Sequence, residues 1–161
     1  MNKKIFKNHQ FKKGFTLIEL LIVIAIVGVL ATLLMVNFVG VRQRARDAQR
    51  KSDLRQMQSA LEIYRADNSS YPASGNGNGL FPTTCGNSFV DLNNSITYMQ
   101  KVPCDPLNTS PNVYTYTPVG TAPYLKYQIV ACLENVNDSQ KDPVNNASCG
   151  SSNWSYTINN P

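Results

Sequence analysis

One carboxylate interrupts an otherwise apolar stretch of this 161-residue chain: Glu19 is the single ionisable side chain between Phe15 and Val41. A charge there costs about 2.5–3.5 kcal/mol on membrane-insertion scales, so it must lie near headgroups, be neutral, or find a cation. The remaining reactive side chains are sparse. The sole histidine, His9, precedes the apolar stretch, and four cysteines, Cys85, Cys104, Cys132 and Cys149, all follow it. A chain cut before Phe15 would contain no histidine, which removes Ser-His and Cys-His catalysis and every His-ligated metal site. An even set of cysteines in an exported region reads as two disulfides. Pairing Cys85 with Cys104 and Cys132 with Cys149 gives the shortest loops, but four cysteines allow three connectivities and spacing alone does not choose.

The elements that position these groups follow from hydropathy. As a helix, Phe15 to Val41 would be roughly 40 Å long, enough for a hydrocarbon core of about 30 Å. It is apolar on all sides, which separates it from an interfacial helix. Lys3, Lys4, Lys7, Lys12 and Lys13 account for the whole formal charge of +5, and the chain beyond them is balanced. Basic residues at that flank predict the N-terminus inside and residues beyond about 42 outside. A secretory signal is discarded by a cut after its apolar stretch. Here the candidate cut, Gly14 to Phe15, lies before it. Cleavage there keeps the helix and creates an α-amine, a cation that a neighbouring copy could bring to Glu19.

The segment KKGFTLIELLIVIAIVGVLA resembles the N-terminal signature of type IV pilins and of the pseudopilins of type II secretion systems, in Gly14, Phe15, Thr16 and Glu19. The resemblance implies cleavage after Gly14 by a prepilin peptidase, methylation of the Phe15 amine, and assembly into a filament with Phe15 and Glu19 as the assembly pair. It implies other copies of the chain, the peptidase, an inner-membrane assembly platform and, before assembly, membrane lipid as partners. It places the protein in the cytoplasmic membrane, N-terminus inside and head outside, and then in an extracellular or periplasmic filament. KVPCDPLN followed by YTY is similar to the Pro-Asp-Pro loop of major pseudopilins. The chain departs from the family in having no proline inside the apolar segment, where Gly28 and Gly40 are the weak points. Major pseudopilins bind calcium in a C-terminal loop; NVNDSQKDPVNN supplies Asp138 and Asp142 but matches no EF-hand spacing, and an ordinary Asn/Asp-rich turn accounts for it better.

Beyond the membrane segment no proline occurs until Pro72, so one helix is expected from near Phe15 to near Asn68. Leu54, Met57, Leu61 and Tyr64 fall on one face and should cover a sheet. Arg42, Arg44, Arg46, Arg50, Lys51 and Arg55 form a basic run read as a solvated face; nucleic-acid binding is not expected of it. Residues 73–88 read as a loop and 93–101 as a short helix. NVYTYTPVG with YLKYQIVACLE reads as a hairpin, and WSYTIN as a third strand. The expectation is an α+β, lollipop-shaped subunit: leader 1–14, filament-core or transmembrane helix 15–41, helix 42–68 continuing into the body, and exported head 69–161. The readings are a type IV pilus or pilus-like filament subunit, a pseudopilin of a secretion or competence system, or a monomeric membrane-anchored binding domain. An enzyme is not expected.

Overall fold

The structure, a computed structural model, describes residues 14–93 and 95–160, with only the backbone described for 34–37. The leader, with its lysines and His9, lies outside these residues apart from Gly14. The chain divides into two compact units, Met1–Val39 and Gly40–Pro161. Helix α1 runs through Leu17–Asn68 and contributes to both. It ends where Ser69 adopts a left-handed φ of 57° and its N–H returns 2.8 Å to the Arg65 carbonyl, a helix stop of the αL type.

In the body, β1 (Phe89–Val90) pairs antiparallel with β2 (Thr97–Met99), and a separate three-stranded sheet has the order β3 (Thr115–Val119), β4 (Lys126–Leu133), β5 (Trp154–Asn159), all antiparallel. The hairpin and third strand are where alternation placed them. The described residues among 93–101 do not form a helix. Asp91 accepts the N–H groups of Ser95 and Ile96 at 2.6 and 2.9 Å and so fixes a turn, after which Thr97-Tyr98-Met99, a β-favouring triplet, pairs as β2.

The helical stripe is the second layer. Leu54, Met57 and Leu61 are fully buried, with Tyr64 packed at the edge, against Tyr71, Phe81, Phe89, Val102, Tyr116, Tyr127, Ile129 and Ala131. Rings pack in a chain, Phe81 edge-on with Phe89 at 5.1 Å and tilted against Tyr116 at 4.5 Å, distances at which aromatic pairs add to simple area burial. Central strand β4 is buried on both faces near its end: Ile129 and Ala131 face the main core, while Val130 and Cys132 pack with Cys149.

Candidate functional site

Gly14 and Phe15 are exposed and precede the first turn of α1, Phe15 being 85% exposed. Thr16 and Glu19 then interlock. The Thr16 N–H donates to Glu19 Oε2 at 2.9 Å, the Thr16 hydroxyl to the same oxygen at 2.8 Å, and the Glu19 N–H returns to Thr16 Oγ1 at 3.3 Å. This is a capping box, which satisfies otherwise orphaned N–H groups at a helix start. The spacing Thr-x-x-Glu carries that signal in the sequence, yet reading Glu19 only as a partner for an amine misses it. One carboxylate oxygen holds the helix start; Oε1 accepts no hydrogen bond among the described residues.

Beyond the cap, apolar side chains point outward on every side: Leu17 is 89% exposed, Ile18 67% and Leu33 65%. No single helix among the described residues is long and apolar enough to cross a membrane; Leu17–Leu33 and Phe38–Asn68 meet that requirement only as a broken pair.

The basic run is a solvated face only in part, which amends the expectation above: Arg42, Arg44 and Arg55 are exposed, whereas Arg46, Arg50 and Lys51 are drawn into ion pairs. Arg50 has no exposed side-chain surface. It donates from Nε and Nη2 to the two oxygens of Asp105 at 2.6 and 3.0 Å, and from Nη1 to Asp47 and to Glu134, both at 2.7 Å. Arg46 forks onto Glu134, and Lys51 reaches Asp138 at 2.9 Å. Asp47 also accepts the N–H groups of Glu134 and Asn135 at 2.9 and 2.8 Å. Helix α1 is thus clamped both to the Pro103-Cys104-Asp105-Pro106 loop through Asp105 and to the end of β4 through Glu134. Burial opposes the Arg50 charge, but its three carboxylate partners outweigh that and hold the guanidinium more firmly protonated than usual. The hydrogen bond from Arg46 holds the Glu134 carboxyl below its ordinary range despite partial burial. These long-range partners, 55 to 88 residues away, have no local sequence signal.

Residues 10–35 match the prokaryotic N-terminal methylation motif, and residues 37–145 match the family described as type II secretion system (T2SS), protein G. The chain belongs to the protein G family. Relatives named type II secretion system core protein G include one from Pseudomonas aeruginosa, 33% identical over 74% of this chain and 84% of that protein. Another from Vibrio cholerae is 30% identical over 71% of this chain and 76% of the relative. A third, from Dickeya chrysanthemi, is 41% identical over 45% of this chain, and there the match spans only 50% of the relative's length. No solved structure matches the chain significantly. With its methylation motif and outward-facing apolar side chains, the N-terminal segment is of the membrane-anchored prepilin type.

Within this protein G body the disulfides join Cys85 to Cys104 and Cys132 to Cys149. The second ties the end of β4 to a 3-10 turn, Ala147–Cys149, just ahead of β5. Between those cysteines lies the loop in which calcium would sit. Five of its side chains already accept hydrogen bonds. Asp138 accepts from Lys51 Nζ and from the Gln140 N–H, both at 2.9 Å. Asp142 accepts the Thr157 N–H at 3.1 Å and the Thr157 hydroxyl at 2.6 Å. The side-chain oxygens of Asn135, Asn145 and Asn146 accept backbone N–H groups of Asn137, Ser155 and Ser148. Calcium takes six to eight oxygens; among the described residues no cluster of three or more His, Cys, Asp or Glu could hold a metal. Asp138 and Asp142 do not fit a calcium site in this arrangement.

Proposed function

We propose that this protein is the filament-building subunit of a type II secretion apparatus, a pseudopilin. Prepilin peptidase cuts it between Gly14 and Phe15 and methylates the new amine. The observation that carries this reading is the Gly14-Phe15 junction set directly before an outward-facing apolar helix whose single carboxylate, Glu19, keeps one oxygen uncommitted. Before processing, Phe15 contributes an uncharged amide; afterwards it contributes an α-amine with a reference pKa of about 7.7–8.0 that methylation leaves cationic. In a bundle of such helices, apolar packing alone permits axial sliding, whereas an amine of one copy on Glu19 of the next fixes the register.

The precursor waits in the cytoplasmic membrane with its N-terminus inside, lipid covering the apolar side chains until other copies replace it. An inner-membrane assembly platform hands subunits to the filament, and the head faces outward. The role is structural: once the leader is gone no histidine remains to serve a nucleophile. Glu19→Val tests the pairing. Cleavage should proceed, while the fraction of subunits cross-linked into filaments falls by about tenfold or more, the consequence of losing at least about 1.4 kcal/mol of register energy. Filament incorporation equal to that of the unaltered chain would sink the pairing.

A further inference from the structure

The calcium-unfit loop between β4 and β5 is not short of positive charge, because two lysine ammonium groups are built into it. Lys51, projecting from α1, places Nζ 2.9 Å from Asp138 Oδ2, with only 18% and 14% of the two side chains exposed. Lys141, within the loop, donates from Nζ to the Val136 carbonyl at 2.6 Å while lying 4.1 Å from the centre of the Trp154 ring. That ring is itself fixed, its Nε1–H donating to the Asp142 carbonyl at 2.7 Å. An ammonium between a carbonyl and an aromatic face is well placed on both counts. The disulfide Cys132–Cys149 closes the base of the same loop.

We infer that Lys51 and Lys141 are the resident cations of this loop, and that the protein G body of this chain closes without calcium. A divalent cation brings charge and a coordination shell that draws oxygens together. Here the charge comes from two side chains, the oxygens are drawn onto N–H and O–H donors instead, and the covalent tie limits how far the loop can open. Lys51 has a further consequence: since it belongs to α1, the loop is pinned to the helix and not only folded on itself.

The test uses the full-length protein in detergent micelles, stripped with a chelator. Its thermal midpoint should not move on adding millimolar calcium chloride, and protease cleavage within residues 135–146 should proceed at the same rate with and without the ion. A rise in midpoint that saturates with calcium, or loop cleavage that slows when calcium is added, overturns the inference. Lys51→Met should lower the midpoint by about 4 °C, as expected for a domain of this size losing about 1 kcal/mol, and should speed cleavage in the loop several-fold. Lys51→Arg should restore both. A Lys51→Met protein with unaltered midpoint and unaltered loop cleavage overturns the role of Lys51, and if that variant does not fold, the calcium titration of the unaltered protein still decides.

Discussion

The two compact units of this chain invert each other's chemistry. In the N-terminal unit apolar side chains face outward, Leu17 at 89% and Phe15 at 85% exposure, and its one charged helical side chain is tied up in a capping box. In the body the apolar stripe is buried and so is a full charge, Arg50, with no exposed surface. A segment that leaves its apolar surface uncovered is incomplete alone and must take that burial from lipid or from copies of itself. A unit that buries a guanidinium among three carboxylates supplies that charge's partners itself. The difference teaches that one part of the molecule is built for association and the other for staying folded while association happens.

Breaking the body's side of this contrast should give the largest effect. Arg50→Met leaves Asp47 and Asp105 buried without their cation and should cost about 3–5 kcal/mol, read as a loss of the cooperative thermal transition or a steep fall in its midpoint. Next comes the paired Cys132→Ser, Cys149→Ser variant. With the cysteines at a sequence separation of 17, loop-closure entropy puts the loss at about 3 kcal/mol, to be measured by urea unfolding under non-reducing conditions.

Acid should act on the same network more gradually. The Glu134 carboxyl is held below its ordinary value of 4.5 chiefly by Arg46. Burial pushes the Asp138 carboxyl up, but Lys51 and the Gln140 N–H outweigh it and hold it below 3.8. Both groups are more acidic folded than unfolded, so their contribution is complete above these ordinary values and is lost as pH falls below them. The thermal midpoint should therefore be flat near neutrality and decline below about pH 4.5; a midpoint that rises on acidification would contradict the network. The smallest effect should come from the other unit. Thr16→Ala removes the cap and should cost about 1 kcal/mol, confined to faster amide exchange in the first turn of α1, with the body's transition unmoved.

What the sequence made legible followed periodicity. The Leu54-Met57-Leu61 stripe, the hairpin of β3 and β4, and β5 were readable because alternation and helical spacing are local properties. Residues 93–101 were misread because the side chain of Asp91 sets that turn, and a side-chain-to-backbone bond leaves no periodic trace. Half of the basic run departs from its reading as a solvated face, for a different reason. Arg46, Arg50 and Lys51 look like a solvated face until Glu134, Asp105 and Asp138 are brought to them, and residues so distant in sequence are joined only by the fold. At the N-terminus Gly14, Phe15 and Glu19 lie within six residues, so a local reading proposes them together as junction and carboxylate, while the Thr16–Glu19 capping box, equally local in its spacing, went unread.

The intact mass of the protein extracted from membranes or sheared filaments tests the central claim most directly. The expected species is residues 15–161 carrying one added methyl group, so that the chain begins with a methylated amine at Phe15. A mass corresponding to the chain from Met1, or to a cut beyond Val41 that discards the apolar segment, would contradict it.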